Sequence, residues 1–236
     1  MIAWSYSRLS DFERCPFMFN HKYILKTVKF IPNEAMERGK KLHKSLERDM
    51  FRAASCRKPV CEEVKHVWPI VTAFATSHKE VRVEEQVALD RKFRPCSWFD
   101  KKTWLRGVFD VIGFNGEASV GQKRHVSVID WKTGQYRPNE DQLLLYNWII
   151  MLRWAEVKTV TSALVFIDHE KAAPLVVTKR EDMQNISNSF MERVEDLKIA
   201  EERDRWPSVK NWGCRFCNVA ECQFSGGASP WRGDPR

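Results

Sequence analysis

The spacing of apolar residues predicts helices near the start of the chain, strands in its middle and helices again later. Ser7 is expected to cap a short helix that ends near Arg14, and Pro16 is expected to open a second helix. Asn33 is expected to cap a longer helix, on which apolar residues recur at intervals of three and four. The inward-facing stripe of this helix is predicted to comprise Met36, Gly39, His43, Leu46, Met50 and Ala53.

A change to alternating, β-branched segments predicts a sheet after residue 80. Residues 61–77 are typical of one more helix, kinked at Pro69. Asn115-Gly116 is a turn signal, so the strands before and after it are expected to pair as an antiparallel hairpin. A nearly all-apolar helix is expected to start at 138–141, and an amphipathic helix to carry Met183 to Leu197. The predicted strands are 81–89, 104–114, 125–130, 162–167 and 174–178, and together these elements indicate one α/β domain.

Composition narrows the class of partner. The chain has 236 residues, 39 of them basic and 31 acidic, which gives a net charge of +8. This balance favours an anionic partner, most commonly nucleic acid, although a basic solvated surface would look the same. No apolar run is long enough to cross a membrane, and the first residues lack the pattern of a secretory signal. A cytoplasmic, reducing setting is therefore expected, where cysteines more often bind metal than form disulfides.

The segment VIDWKTG, residues 128–134, places an acid and a lysine on one face of a strand. Asp130 and Lys132 are two residues apart, and Asp110 occupies the neighbouring strand of the predicted hairpin. If the strands pair in the natural register, two carboxylates and an ammonium group converge, and a cation between the acids would relieve their repulsion. Oxygen ligands on fixed strands suit Mg²⁺, and an adjacent lysine can orient water and stabilise charge on a phosphate.

Other roles for these residues remain open at this point. Asp130 and Lys132 alone could form a salt bridge at a strand end, because short motifs have little specificity. The second acid on a neighbouring apolar strand favours a functional site. Gln142 and Tyr146, four residues apart on the following helix, share one face and could either join that site or serve capping and packing.

Three cysteines near the end of the chain have the spacing of metal ligands. Cys214, Cys217 and Cys222 are separated by two and four residues, a pattern typical of zinc or iron–sulfur sites. A complete site needs a fourth ligand. The other cysteines, at positions 56, 61 and 96, show no pairing pattern and are interpreted as structural or incidental.

Five segments in order resemble the PD-(D/E)XK nucleases, specifically the RecB-type exonuclease branch. They are the opening SYSRLSDFERCPFMF, then RGKKLH (38–43), GVFD (107–110), VIDWKTG (128–134) and QLLLY (142–146). The resemblance covers nearly the whole chain. It implies a restriction-endonuclease-like core, a central mixed β-sheet flanked by helices, that hydrolyses DNA with Mg²⁺ or Mn²⁺.

The resemblance also implies roles for individual residues. His43, Asp110 and Asp130 would bind the metal together with the backbone carbonyl of Trp131, and the imidazole would favour Mn²⁺. Lys132 would be the catalytic lysine, and Gln142 and Tyr146 the additional positions of the RecB-type motif. Phe109 stands where the family name has proline, a position that carries no chemistry.

For the cysteines, the resemblance implies a four-iron four-sulfur cluster. Cys15 would be the ligand before the nuclease motifs, and Cys214, Cys217 and Cys222 the three after them. Such a cluster would pin the two chain ends together, and a structural zinc ion held by the same cysteines is the alternative. The expected organisation is a single nuclease domain, 1–236, with its core at about 34–180, a cysteine element formed by Cys15 and 205–224, and a loose tail at 225–236.

The chain is expected to be a metal-dependent DNA nuclease that acts on single strands or duplex ends. Exonuclease action is expected rather than endonuclease action. Without a helicase motif, it would act alone or with a helicase or a recombination or defence partner. Small relatives occur in phages and in CRISPR-associated systems, so a viral protein would act in the host cytoplasm. One alternative is a nuclease-like, DNA-binding subunit of a larger recombination, repair or defence complex. Another is an interaction protein built on the cysteine site.

Overall fold

The computed structural model describes residues 2–28, 33–53, 55, 58–116 and 124–226. These residues belong to two compact units, one within 1–31 and 189–236 and the other within 32–188. The expected core, 34–180, lies in the second unit, and the organisation as one nuclease domain stays a prediction. Cys56 and the tail from residue 227 lie outside the described residues.

The first unit begins with two short helices, α1 (Tyr6–Arg14) and α2 (Pro16–Phe19), followed by a π-helix at Asn20–Ile24. The predicted cap of α1 at Ser7 is wrong. Ser5 has an extended backbone and its Oγ accepts a hydrogen bond from Arg8 N–H at 3.4 Å, so the helix starts earlier and includes Ser7.

The second unit begins with α3 (Glu34–Arg52), and Asn33 caps this helix as predicted. The Asn33 side chain accepts a hydrogen bond from Met36 N–H at 2.9 Å. Met36 itself is exposed, contrary to its place in the predicted stripe, because the buried cluster on this helix starts only at Leu42.

A single kinked helix at residues 61–77 is also a wrong prediction. The structure has a 3₁₀-helix at Glu62–Val67 and then α4 (Trp68–Ser77). Pro69 lies in the first turn of α4, where a missing N–H breaks no helical hydrogen bond, so it opens a helix rather than bending one.

The sheet has six strands of mixed direction. Its elements in chain order are β1 (Glu80–Leu89), β2 (Leu105–Asn115), β3 (Arg124–Lys132), α5 (Glu140–Arg153), β4 (Val157–Phe166), β5 (Lys171–Ala172) and β6 (Val176–Lys179), after which α6 (Met183–Glu202) follows. The strand order is β1-β2-β3-β4-β5, with β6 also on β4. β2 and β3 are antiparallel, as the predicted hairpin requires, whereas β3 and β4 are parallel and connected through α5.

Helices cover both faces of this sheet. On one face, Leu42 and Leu46 of α3 join Val71 of α4 in a buried cluster with alternate residues of β2, β3 and β4. On the other face, Leu143 of α5 packs against Leu164. The predicted class, a mixed sheet flanked by helices, is confirmed. Among the described residues, none of the helices has both the length and the apolar character needed to cross a membrane.

A tight turn after β1 yields a prediction about acid stability. The Asp90 carboxylate accepts hydrogen bonds from the backbone N–H groups of Lys92 and Arg94 and pairs with the Arg94 guanidinium at 2.7 Å. The Arg94 side chain and these backbone donors lower the pKa of Asp90 from 3.8 to about 2. The ionised form is therefore favoured in the folded state, and this stabilisation is present above about pH 4 and lost as the pH falls towards about 2.

We expect Asp90→Asn to lower the melting temperature near neutral pH and the difference from wild type to shrink on acidification. Thermal unfolding followed by circular dichroism between about pH 6 and pH 3 measures this. Asp100→Asn, which removes a carboxylate that also accepts a backbone N–H, from Lys102, is the matched control. A difference that stayed constant across this range would contradict the assignment.

Candidate active site

A carboxylate marks the place where β2 and β3 stop pairing in the usual way. The register runs from Asn115↔His125 to Val111↔Ile129. Beyond this last pair, Oδ2 of Asp110 accepts a hydrogen bond from Trp131 N–H at 2.7 Å. A side chain thus takes a place that a backbone carbonyl would hold in a ladder, which fixes Asp110 beside the end of β3.

Asp130 is held at both of its oxygen atoms. Its Oδ2 lies 2.5 Å from Nζ of Lys132, and its Oδ1 accepts a hydrogen bond from Nε2 of Gln142 at 3.2 Å. The same Nε2 lies 3.0 Å from the hydroxyl oxygen of Tyr146. Lys132 is about one-third exposed, whereas Asp130 is buried. The structure therefore brings together Asp130, Lys132, Gln142 and Tyr146, as the sequence predicts.

His43 reaches this group of side chains from α3. Its Nδ1 lies 3.4 Å from Oδ2 of Asp110. One ligand atom each of His43, Glu84 and Asp110 lies within 4.8 Å of the other two, close enough for one cation to contact all three. With Asp110 facing β3, the six residues expected at the nuclease site meet around the end of the β2–β3 pair, and their roles stay predictions.

Glu84 is a candidate ligand that the sequence analysis missed. The pairs Val83↔Val111 and Glu85↔Phe109 place it opposite Asp110. Its backbone has φ 52°, the left-handed region that non-glycine residues seldom adopt inside a strand. The alternation of side chains along β1 does not reveal a left-handed backbone at one residue, so the sequence offered no signal that Glu84 belongs to the site.

The electrostatics of the site favour a cation. Burial raises the pKa of Asp130 above its usual range, and Asp110 adds to this, while Lys132 opposes it. Burial and the nearby Asp110 also raise the pKa of Glu84. Burial lowers the pKa of His43, but the hydrogen bond to Asp110 and the negative charges of Asp110, Asp130 and Glu84 together outweigh it, so that the net pKa is raised. A bound cation would relieve the repulsion among the acids and take the place of a proton on the imidazole.

Tyr146 is the neutral member of the group. Its burial, with the negative charge of Asp130, raises the pKa of its phenol well above the usual range. The hydroxyl group therefore keeps its proton, and Tyr146 serves as a polar contact for Gln142 rather than as a base.

A second polar network holds the chain just beyond Lys132. Oδ2 of Asp168 accepts a hydrogen bond from Gly134 N–H at 2.6 Å, and its Oδ1 pairs with Arg38 of α3 at 2.7 Å. Nε2 of His169 lies 3.0 Å from the Gly134 carbonyl oxygen. Arg38 also pairs with Glu63 at 3.0 Å, so this basic residue is engaged within the fold. The network joins the start of α3 to the end of β3, and the sequence analysis missed it because its members are far apart along the chain.

Gly39 allows α3 to approach this strand end closely. A Cβ atom built at position 39 would lie 3.0 Å from Oγ1 of Thr133. This distance is shorter than an ordinary van der Waals contact. Glycine at position 39 therefore lets α3 lie close to Thr133, just beyond the end of β3.

In the first unit, four cysteines lie near one another. Burial raises the pKa of the Cys217 thiol, and the neighbouring Cys222, Cys15 and Cys214 raise it further. Val209 N–H points at Sγ of Cys15 at 3.5 Å, and Asn211 N–H points at Sγ of Cys214 at 3.3 Å. Backbone donors aimed at sulfur are typical of cysteines that bind a metal as thiolates.

Comparison with known proteins identifies a family. The model of the PD-(D/E)XK nuclease superfamily matches residues 3–222. No curated protein matches the chain. A solved structure of a candidate exonuclease from Eubacterium rectale is similar over 93% of this chain and 90% of that one, with 12% identity and a TM-score of 0.52. The structure of SSO0001 is similar over 91% and 82%, with 14% identity and a TM-score of 0.42. At these identities, the similarity concerns the fold alone.

The close approach at Gly39 can be tested with a double-mutant cycle. Alanine favours a helix over glycine by about 1 kcal/mol, but in the wild type its Cβ would press on Thr133. We therefore expect Gly39→Ala to be less favourable in the wild type than in a Thr133→Ala background, where Oγ1 is absent. Urea unfolding of the four proteins gives the coupling free energy. Equal effects in both backgrounds would show that the two residues do not interact.

Proposed function

Because the chain belongs to the PD-(D/E)XK nuclease superfamily, we propose that it is a metal-dependent deoxyribonuclease that hydrolyses DNA from its ends. The observation that supports this most directly is the meeting of Asp110, Asp130, Lys132 and His43 at one end of the β2–β3 pair. The RecB-type resemblance of these motifs supports exonuclease action and DNA as the substrate.

The residues at this site fit a divalent cation. His43, Asp110 and Glu84 offer one nitrogen and two carboxylate groups, a donor set suited to Mn²⁺ or Mg²⁺, and Asp130 and the Trp131 carbonyl complete the proposed ligands. Mn²⁺ is the better match for the imidazole. When bound, such an ion would lower the pKa of a water molecule and offset the charge that develops on the phosphate.

Lys132 is the residue that we assign to the chemical step. Asp130 holds its ammonium group 2.5 Å away, which keeps Nζ in place. From there Nζ would orient the attacking water and stabilise the developing negative charge of the phosphodiester. Gln142 keeps Asp130 in position by binding its other oxygen, and Tyr146 supports Gln142 in turn.

We expect Lys132→Ala to lower the rate of DNA cleavage by about 100-fold or more, a typical contribution of a residue that assists proton transfer or stabilises developing charge. The assay follows end-labelled single-stranded and duplex DNA with Mg²⁺, Mn²⁺ or EDTA, and its product ladder reports polarity. Lys158→Ala is the matched control, because Lys158 is an exposed lysine of β4 near Val157, which pairs with Arg124 at the start of β3.

Two results would contradict this assignment. Cleavage that persists in EDTA would show that the reaction does not need a divalent metal ion. Binding of DNA without cleavage under any metal would favour the alternative of a nuclease-like subunit that needs a recombination, repair or defence complex.

We further propose that Cys15, Cys214, Cys217 and Cys222 hold a four-iron four-sulfur cluster, with a structural zinc ion as the alternative. The proximity of the four thiols and the N–H groups directed at two sulfur atoms support a centre of either kind. A site with four protein ligands has no open position for substrate, so this centre would stabilise the fold rather than cut DNA.

Metal analysis of anaerobically purified protein distinguishes the two centres. We expect roughly four iron atoms per chain and visible absorption, both lost in Cys217→Ser. Cys96→Ser is the control, since its thiol contacts Thr103 at 3.5 Å in the other unit. About one zinc atom per chain and no visible absorption would establish the alternative.

A further inference from the structure

Two large aromatic side chains are exposed on the first unit, on the 3₁₀-helix Trp212–Phe216. Trp212 is 61% exposed and Phe216 is 68% exposed. Aromatic residues of this size bury most of their surface in folded proteins, and exposed rings on one short helix are a common feature of binding surfaces.

Each ring lies beside a guanidinium group. Arg14 is 5.7 Å from the centre of the Trp212 ring, and Arg215 is 4.7 Å from the centre of the Phe216 ring. Further exposed basic residues follow the same stretch of chain, at Arg203, Arg205 and Lys210. Residues 203–217 contain a single acid, Asp204, which accepts a hydrogen bond from Trp206 at 2.8 Å. Basic residues therefore outnumber acids along the segment that carries the rings, and Arg14 also pairs with Asp11 at 3.7 Å.

The backbone that carries the rings is well supported. The side chain of Asn211 accepts a hydrogen bond from Gly213 N–H at 2.9 Å and donates one to the Arg14 carbonyl oxygen at 3.2 Å. The Cys214 carbonyl oxygen accepts hydrogen bonds from Cys217 N–H and Gly226 N–H. Rings on a preformed support bind a ligand without the entropy loss of ordering a loop.

We propose that Trp212 and Phe216 form a stacking surface for the bases of a single-stranded nucleic acid, with Arg14 and Arg215 contacting its phosphates. The inference rests on the proposed function and adds a binding site for the substrate strand. Aromatic rings with interleaved cations bind single strands without sequence preference, because every base has a π-face and every nucleotide a phosphate. In a duplex the base faces are already stacked, so the surface selects unpaired strands.

Binding of fluorescein-labelled oligothymidylate in EDTA tests the surface without cleavage. We expect Trp212→Ala and Phe216→Ala each to weaken binding by about tenfold, the lower end of the stacking contribution of one base. Trp212→Leu and Phe216→Leu, which keep an apolar side chain without a ring, should lose as much, whereas Trp212→Tyr should retain most of the affinity. Phe99→Ala is the matched control, since Phe99 is an exposed ring, at 87%, in the other unit.

Several outcomes would overturn the proposal. Unchanged affinity in the alanine variants, with the melting temperature and metal content of the wild type, is the first. Full affinity in the leucine variants would indicate apolar contact rather than stacking. An equal loss of binding to polyglutamate would indicate a general polyanion or protein surface.

The test also separates this inference from the proposed nuclease activity. A wild type that binds oligothymidylate through these rings but cuts no DNA would retain the stacking surface and refute the activity. A wild type that cuts DNA, with binding unaffected by loss of the rings, would refute the surface and retain the activity.

Discussion

The arrangement of the candidate site depends on one hydrogen bond, from Trp131 N–H to the carboxylate of Asp110. This bond gives a buried acid a partner from the backbone itself, which offsets part of the cost of removing its charge from water. It also fixes the distance between β2 and β3 where their pairing ends. Asp130 and Lys132, on either side of Trp131, receive their positions from the same contact.

The rest of the fold supplies charge balance around that bond. Lys132 brings a positive group, while Glu84 and Asp130 add acids whose pKa values are raised by burial and by their neighbours. Such a cluster weakens the folded state on its own, since groups that share a sign repel one another. The cluster is retained because apolar packing of α3, α4 and α5 on both faces of the sheet fixes the backbone that carries it.

The sequence predicts the parts of the site that follow from local periodicity. Alternation along two strands placed Asp110, Asp130 and Lys132 together, and the resemblance to a nuclease family added His43. Glu84 was not predicted because its left-handed backbone breaks the alternation. Asp168 was not predicted because its partners lie on distant segments of the chain. The wrong predictions at Ser7, Met36 and Pro69 all concern the first turns of helices. A shift of one or two residues there changes which side chain caps the helix and which side chains are buried. The cysteine spacing indicated a metal centre, but not which metal.

The spread of the site along the chain has a consequence for its synthesis. Its side chains come from α3, β1, β2, β3 and α5, so the first and last of them, His43 and Tyr146, are separated by most of the second unit. Contacts of such long sequence separation form late in folding, because the intervening loops must close first. A nascent chain on the ribosome, or a fragment left by proteolysis, would lack part of the site. The proposed nuclease activity would therefore arise only in molecules that have completed their fold.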